Sequence, residues 1–311
     1  MVSAKRPLVG LLFVCFLVLS FTRPSNGEGK VGIYWGQAVA SSEVVESSLK
    51  ETCATGTFGY VAISFLDITA DGSAFLLNLT THCNSLTGDC TQLSSEITYC
   101  QELGVKVLLS IGDVPRRLNL TSAAYTQPVA EYLYNYFLGG NSSSRPLGDA
   151  VLDGIEVIVD GGSPNIYEGL AEYLKAYSTT ESPIFMAAAP QCDYPETFNS
   201  SSYDIVWPQF YNDDCSLTTS WEEWAAKTEA IMIAVGLPTA EDAASGYMTA
   251  NDVITRVLPL AKTSPKYGGV MLWNRYWDIS NGNYSAEIMP YVVGQSSSIF
   301  SYILQTVGLA L

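Results

Sequence analysis

Short apolar runs, rich in β-branched and aromatic residues, recur along the chain and alternate with segments that have helical periodicity. In the segments 128–137 and 167–177, apolar residues return at the spacing of a helix with one buried face. Strands that alternate with helices predict a parallel sheet. Eight strand–helix units in a chain of this length predict a single-domain (β/α)8, or TIM, barrel, with a doubly wound open sheet as the alternative. The predicted strands are residues 31–36, 60–68, 105–112, 154–160, 184–190, 205–211, 230–237 and 268–274.

The amino-terminal segment has the layout of a secretory signal peptide rather than that of a folded element. Lys5 and Arg6 precede an apolar run over residues 8–21, and a short polar stretch follows. This order predicts a signal peptide at residues 1–27. A membrane anchor is the alternative, but about 14 apolar residues are too few to span a bilayer comfortably.

Removal of residues 1–27 would leave a strongly acidic chain. The sequence has 15 basic and 31 acidic residues, and three basic ones lie in the signal peptide, so the net charge becomes 12 minus 31, or −19. Such a surface repels phosphate groups, so we expect no nucleic-acid partner. We also expect a monomer with no membrane association after signal removal. Residues 28–291 should form the barrel, and the apolar segment 292–311 is either a terminal helix or a sorting tail.

The cysteines and the N-glycosylation sequons fit an oxidising secretory compartment. One of the seven cysteines lies in the signal peptide, and the remaining six suit three disulfides, although the sequence alone does not fix their pairing. We therefore expect a secreted, extracellular glycoprotein that is stapled by disulfides. The sequons, each a potential surface glycan, begin at Asn78, Asn119, Asn141, Asn199 and Asn283.

The whole sequence contains one histidine, His82, which excludes multi-histidine metal sites and most histidine-based triads. His82 adjoins Cys83 in a polar stretch, so we expect it at the surface. The sequence also lacks CxxC pairs and glycine-rich phosphate loops, so we expect no metal and no cofactor. Carboxylates and tyrosines are the catalytic chemistry that remains.

Residues at the carboxyl ends of the predicted strands are the candidates for a site, because (β/α)8 barrels place their working groups there. Aromatic and amide side chains dominate these positions, and flat apolar faces beside hydrogen-bonding amides suit a sugar cleft. Simple packing of the aromatic residues is the alternative. The candidate sugar-binding residues are Tyr34, Gln37, Asp67, Asp113, Gln209, Tyr211, Asn212 and Trp273.

The stretch 153–160, D-G-I-E-V-I-V-D, is the strand that says most about chemistry. Because a strand alternates its side chains between two faces, Glu156, Ile158 and Asp160 share the face toward the barrel interior. Glu156 is then a buried carboxylate, which needs a partner or stays protonated. Asp160 lies at the upper rim, where an acid or a sugar ligand is expected.

This strand is similar to the D-G-x-D-x-D-x-E signature of glycoside hydrolase family 18. From about residue 31 to 291, the chain resembles the plant class III chitinases of the hevamine type. The matching stretches include I-Y-W-G-Q at 33–37, A-A-P-Q-C at 188–192 and Y-G-G-V-M-L-W at 267–273. We expect the secreted protein in the apoplast, or in the vacuole if residues 292–311 act as a sorting tail. The resemblance also implies three disulfides, Cys53–Cys100, Cys83–Cys90 and Cys192–Cys215.

Chitinases of this family use a substrate-assisted retaining mechanism. A glutamate at the last signature position protonates the leaving oxygen, while an aspartate two residues earlier and a tyrosine from another strand hold the substrate's N-acetyl group. In this chain Tyr211 matches the tyrosine, but Asp160 stands at the glutamate position and Ile158 at the assisting aspartate position. Glu156 replaces the middle aspartate of the signature. Tyr34, Gln37 and Trp273 match family sugar contacts, Asp67 replaces an asparagine, and Asp113 replaces a glycine.

These replacements predict a catalytic motif that is not intact and a protein that hydrolyses chitin poorly. Asp160 retracts the acid by one methylene, and a positioned general acid contributes roughly 10²–10⁴ in rate. Ile158 can neither form a hydrogen bond nor stabilise a cation, and the loss of one preorganised electrostatic group costs about 2.7–4 kcal/mol. The alternative is that Asp67 or Asp113 has taken over the catalytic role.

A barrel with a disabled motif is expected to act by binding. We favour a non-catalytic defence protein that inhibits microbial glycoside hydrolases such as xylanases, because the stretches 64–67 and 272–278 resemble the inhibitor branch of the family. The loop 178–182 has no lysine or arginine, which weakens this prediction for targets with an acidic active site. One alternative is a lectin-like or storage protein that binds N-acetylglucosamine-containing glycans such as chitin. The other is a weak endochitinase with altered acid residues.

Overall fold

The wall of the domain is built from short strands of β-branched, small and aromatic residues. The structure, a computed structural model, describes residues 28–39, 44–80, 82–112, 120, 122–159, 164–193, 199–211 and 217–294. Its strands are β1 (Lys30–Trp35), β2 (Tyr60–Ile68), β3 (Phe75–Leu77), β4 (Lys106–Ile111), β5 (Gly154–Val159), β6 (Phe185–Pro190), β7 (Ile205–Val206), β8 (Met232–Pro238) and β9 (Tyr267–Trp273). Hydrogen bonds join them in the order β1-β9-β8-β7-β6-β5-β4-β2-β3, and β1 also pairs with β2. This last pairing closes eight parallel strands into a barrel, so the (β/α)8 prediction is confirmed and the open-sheet alternative is wrong.

Most strand boundaries lie within two residues of those predicted, and β2 has the predicted bounds. β7 is the exception, because it ends at Val206, shortly before Pro208, which has no N–H for the ladder. Beyond it, pairing continues only as isolated bridges from Gln209 to Gln191 and Gly236. The sequence pattern does not predict β3, an antiparallel neighbour of β2, because three residues are too few to show a period.

Helices cover the outer surface of the barrel between the strands. The described α-helices are α1 (Leu49–Ala54), α2 (Leu93–Glu102), α3 (Thr126–Phe137), α4 (Pro164–Ala176), α5 (Leu217–Lys227), α6 (Ala250–Asp252), α7 (Leu258–Ala261), α8 (Arg275–Ser280) and α9 (Tyr284–Val293). The segments predicted to be helical at 128–137 and 167–177 coincide largely with α3 and α4. α1 begins with a capping box, in which Ser48 and Glu51 each accept a hydrogen bond from the other's backbone N–H.

The buried apolar residues form two clusters, one on each side of the barrel wall. The larger cluster lies between strands and helices and includes Ile155, Val157 and Val159 of β5. The smaller cluster fills the barrel interior and includes Ile158 of the same strand. Glu156, two residues before Ile158, is fully buried. The alternation predicted for β5 is therefore present, and it directs one carboxylate and one isoleucine into the lumen.

Two disulfides brace the amino-terminal third of the barrel. Cys53–Cys100 joins α1 to α2, and Cys83–Cys90 closes a short loop after β3. Both pairings agree with those that the family resemblance implies. Cys192 is also disulfide-bonded, but its predicted partner Cys215 lies outside the described residues.

Removal of the Cys83–Cys90 disulfide by a double alanine substitution is expected to lower the free energy of unfolding by about 2.5 kcal/mol. The reason is the loop-closure entropy of a short loop, since the two cysteines are seven residues apart in sequence. Urea unfolding of the oxidised wild type and of the double variant measures the difference. A loss below about 1 kcal/mol would show that contacts such as the 2.7 Å hydrogen bond from the Ser85 hydroxyl to the Leu77 carbonyl already restrain the loop.

The two ends of the chain are only partly described. Residues 1–27 and 295–311, which hold the predicted signal peptide and most of the predicted extension, lie outside the described residues. α9 runs to Val293 and so crosses the boundary that we placed after residue 291. Among the helices of the described ranges, none combines the length and the apolar character needed to cross a membrane. Asn119 is also outside these ranges, whereas Asn78, Asn141, Asn199 and Asn283 are exposed.

Candidate functional site

Glu156 lies at the centre of a hydrogen-bonded network inside the barrel. The Tyr34 hydroxyl donates to its Oε1 atom at 2.9 Å, and the Trp207 indole N–H donates to the same atom at 3.2 Å. The Ser110 hydroxyl donates to Oε2. Ser110 can reach because it is the register partner of Glu156 on the neighbouring strand β4. Three donors on three other parts of the barrel therefore hold this carboxylate.

Burial dominates the acid–base behaviour of this network. It raises the pKa of Glu156 from an ordinary value of 4.5 to about 7, although the hydrogen bonds from Ser110, Tyr34 and Trp207 each act to lower it. Burial, followed by the charge of Glu156, raises the pKa of Tyr34 and that of Tyr211 well above the ordinary value of 10. Both tyrosines are therefore neutral hydrogen-bond donors, and Glu156 is the group of the network that titrates near neutral pH.

Ile158 occupies the lumen position where the family signature has its assisting aspartate. It is 3% exposed and packs in the interior cluster with Tyr34, Trp207 and Met271. An aliphatic side chain there offers no acceptor for an amide N–H and no charge to stabilise a cation. The nearest carboxylate along the strand, Glu156, is fully buried and already bound by three donors.

Aromatic rings line the mouth of the lumen. Trp273, at the end of β9, meets the Tyr34 ring edge-on at a centroid distance of 5.2 Å and stacks on the Phe65 ring at 5.7 Å. Trp273 is half-buried, whereas Phe65 and Tyr211 are buried. Non-proline cis peptide bonds occur at Ser64–Phe65 and Trp273–Asn274. The sequence-predicted residues Tyr34 and Trp273 thus lie together, and half-buried Trp273 is the ring of the pair that a sugar could reach.

The two glutamines predicted as sugar ligands use their amide groups to hold the backbone. The Gln37 side-chain nitrogen donates to the carbonyls of Gly36, Ser64 and Asn78 at 3.0, 2.7 and 3.0 Å. The Gln209 side-chain nitrogen donates to the Ala189 carbonyl at 2.8 Å. The amide N–H groups of both glutamines are therefore used to hold the backbone near the mouth. Their role as sugar ligands stays a prediction.

Of the remaining predicted site residues, Asp67 has a described position and three others do not. Asp67 is half-buried near the end of β2. Asp113, Asp160 and Asn212 lie outside the described residues, so their predicted roles rest on the sequence. In the part of the chain that the structure describes, no group of three or more histidine, cysteine, aspartate or glutamate side chains could hold a metal ion.

Ser110 and Trp207 are site residues that the sequence analysis did not single out. Both have a detectable signal. Alternation places Trp207 on the same strand face as Gln209 and Tyr211, and Ser110 is a polar residue near the end of an apolar strand. The sequence does not predict that both residues bind Glu156. That contact depends on which residues of neighbouring strands the register of the barrel places side by side.

His82 is half-buried rather than at the surface, which corrects the sequence prediction. Its Nε2 atom lies 2.6 Å from Oε2 of the buried Glu46, and its ring packs on Trp35 at a centroid distance of 4.1 Å. Glu46 Oε2 also accepts from the Gly36 N–H at 3.1 Å. The pair therefore ties the loop after β1 to the loop that begins at Cys83. The partners are 36 residues apart, so no local pattern predicts their contact.

A closed (β/α)8 barrel with a carboxylate directed into the lumen and aromatic rings at its mouth is an arrangement typical of carbohydrate-active barrels. No protein-family model matches the chain. The acidic endochitinase of Arabidopsis thaliana is 40% identical over 298 residues, which cover 91% of this chain and 97% of that protein. The crystal structure of a chitinase from Ipomoea carnea matches with a TM-score of 0.78 at 41% identity, covering 85% of this chain and all of the other.

The chain is also similar to an inhibitor of glycoside hydrolases. The xylanase–α-amylase inhibitor protein XAIP-I, solved in complex with trehalose, has a TM-score of 0.75 at 38% identity, covering 85% of this chain and 98% of the inhibitor. The chain therefore belongs to the family of the plant acidic endochitinases, class III of glycoside hydrolase family 18. The inhibitor XAIP-I shares the fold of this family.

Proposed function

We propose that this protein is a non-hydrolytic member of the plant class III chitinase family that inhibits microbial glycoside hydrolases such as xylanases. The observation that carries the first half of the proposal is Ile158, which is buried in the lumen at the position of the assisting aspartate. Substrate-assisted hydrolysis needs a group there that holds the N-acetyl amide and stabilises its positive charge.

Glu156, the inward-facing carboxylate of β5, does not supply this function from where it lies. Glu156 is enclosed by Tyr34, Ser110 and Trp207 and has no exposed surface, so it cannot contact a sugar without loss of the network. In the sequence, Asp160 is one methylene shorter than the family's glutamate, which weakens proton donation to the leaving oxygen. Two parts of the hydrolysis are therefore impaired: proton donation to the leaving oxygen, and stabilisation of the substrate's N-acetyl group. The fold of the barrel is unchanged.

Inhibition is supported by the similarity to XAIP-I at 38% identity and by contacts that fix described residues in the segments after β1 and β3. These contacts are the Cys83–Cys90 disulfide, the pairing of His82 with Glu46, and the hydrogen bonds from the Gln37 amide to the Ser64 and Asn78 carbonyls. Residues that are already held in place bind a partner with a smaller entropy cost than mobile ones.

The test of inhibition is a panel of fungal xylanases and α-amylases, assayed with the purified protein at increasing concentration. We expect at least one panel enzyme to be inhibited with a micromolar or lower dissociation constant, about −8 kcal/mol or better. The single variant Ile158→Asp should inhibit equally well, because it changes only a residue that is buried in the lumen. If the whole panel stays fully active at tens of micromolar protein, the inhibitor proposal is wrong.

Carbohydrate binding without hydrolysis is the second candidate, and the contact of Trp273 with Tyr34 and Phe65 favours it. If sugars stack in the mouth, the substitution Trp273→Ala should weaken retention on chitin or a chitin oligomer by about five- to ten-fold. Tyr291→Ala on α9, an exposed aromatic outside the interior cluster, is the matched control and should leave retention unchanged. Calorimetry with chitin tetramer measures both variants. Equal affinities for wild type and Trp273→Ala would rule out this binding mode.

A further inference from the structure

A groove lined by hydroxyl groups runs over the outer surface of the barrel, away from the lumen. It consists of two adjacent cavities of about 540 and 600 Å³ that share Thr91 and Ser94. Each volume lies within the usual range for small-molecule sites. The first cavity lies between the amino-terminal end of α2 and the loop that follows α3. Its lining includes Thr91, Ser94, Ser142, Ser143, Ser144 and Arg145.

The walls of this groove are held in place. The Ala150 N–H donates to the Ser94 hydroxyl at 2.9 Å, which joins the loop to α2. The Arg145 guanidinium donates to the carbonyls of Tyr136 and Ala150 at 3.3 and 2.9 Å.

Because Arg145 is occupied by backbone oxygens, the first cavity offers five hydroxyl groups and the Asp149 carboxylate to a ligand. The second cavity adds further hydroxyls, with Lys50 and Glu102 also in its lining. Hydroxyls both donate and accept hydrogen bonds, as the hydroxyls of a neutral sugar do.

An N-glycosylation sequon, Asn141-Ser142-Ser143, begins at the rim of this groove. The Asn141 side chain is exposed, whereas its backbone N–H donates to the Asn135 side-chain oxygen at 3.0 Å. The second and third residues of the sequon line the cavity. A sugar attached to Asn141 would therefore start beside the Ser142 hydroxyl, which accepts a hydrogen bond from the Ser144 N–H at 3.2 Å.

We propose that Asn141 is glycosylated and that the first sugars of its glycan lie in the groove formed by α2 and residues 142–149. The occupant is a neutral oligosaccharide of this chain itself, attached during the secretion that residues 1–27 predict. The bound sugars fasten the loop after α3 to α2. This modification site is independent of the lumen and of the inhibitory or sugar-binding role proposed for it.

The test uses the full chain secreted from cultured human cells, with mass spectrometry of the peptide that contains Asn141. We expect this asparagine to carry a glycan. We also expect a peptide N-glycosidase to release that glycan at least ten-fold more slowly from the native protein than from the unfolded protein. Asn141→Gln and Ser143→Ala remove the sequon by different changes, and each should lower the melting temperature by about 2–4 °C.

Two controls separate a bound glycan from a change in the polypeptide. Ser144→Ala keeps the sequon but removes one groove hydroxyl, so it should keep the glycan and speed its release. The protein made without glycosylation in an oxidising bacterial host should have the same melting temperature with or without Asn141→Gln. An unmodified Asn141 in the secreted protein overturns the proposal. Equal release rates from native and unfolded protein, with no shift in melting temperature, also overturn it.

Discussion

The double substitution Ile158→Asp with Asp160→Glu is expected to raise the hydrolysis of a chitin tetramer by at least about 100-fold. An aspartate at position 158 would return the acceptor that holds the N-acetyl amide, and the loss of one such electrostatic group costs about 2.7–4 kcal/mol. A glutamate at position 160 would restore the reach of the general acid, which contributes roughly 10²–10⁴ in rate. Product formation by wild type and variant, followed by mass spectrometry, measures the gain.

Three further variants show whether the gain follows the family mechanism. Ile158→Leu keeps the side chain apolar and should leave the rate at the wild-type level. In the restored protein, Tyr211→Phe removes the tyrosine hydroxyl and should lower the rate again. Because Glu156 is one methylene longer than the aspartate of the signature, adding Glu156→Asp gives the aspartate introduced at position 158 room in the lumen. The triple variant is therefore expected to be the most active.

A flat response across these variants would contradict the account. It would show that the lumen is blocked by something other than the two replaced residues. The folded state of each variant must be confirmed by its melting temperature, because Ile158→Asp places a carboxylate in a cluster that contains Tyr34, Trp207 and Met271. A well-folded triple variant with no activity would show that the replaced residues of β5 do not explain the loss of hydrolysis.

The substitution Glu156→Gln is expected to remove a pH dependence of about 3 kcal/mol from the free energy of unfolding. Burial raises the pKa of Glu156 from 4.5 to about 7, so the native state holds this proton more tightly than the unfolded state. Between these values the native state carries more protons, and stability falls as the pH rises from 4.5 to about 7. Below and above this interval, Glu156 adds no slope.

Urea unfolding at about pH 4, 5.5 and 7.5, which bracket the interval, tests this expectation. The chain has many other carboxyl groups, so the informative quantity is the difference between wild type and variant at each pH. Relative to the wild type, Glu156→Gln should gain stability as the pH rises. Glu222→Gln, at an exposed carboxyl group on α5, is the matched control for the loss of one carboxyl group. A difference between wild type and Glu156→Gln that does not change with pH would mean that this carboxylate is not held as the structure shows.

The fold was predictable from the sequence because a (β/α)8 barrel repeats one local pattern. Each parallel strand is a short apolar run, and the alternation within β5 was enough to direct Glu156 and Ile158 to the lumen. The pattern failed where the local signal was weak. β3 is only three residues long, and β7 ends at Val206, just before Pro208.

The candidate site was less predictable, because its contacts join residues that are far apart in sequence. Tyr34 and Glu156 are 122 residues apart, and Trp207 meets Tyr34 across 173 residues. The polar stretch around His82 also predicted a surface position for this residue, whereas the structure shows it half-buried and paired with Glu46. For Gln37, residue type indicates a sugar ligand, whereas the structure adds that its amide N–H groups hold backbone carbonyls.

Whether the native lumen supports substrate-assisted hydrolysis is tested most directly by kcat/KM of the wild-type protein on chitin tetramer. The same measurement is made on the triple variant and on Tyr211→Phe in the wild-type background. We expect a wild-type value at least about 100-fold below that of the triple variant, with no further loss when Tyr211 becomes phenylalanine. A wild-type value within about ten-fold of the triple variant that falls sharply with Tyr211→Phe would contradict our proposal that the lumen is inactive.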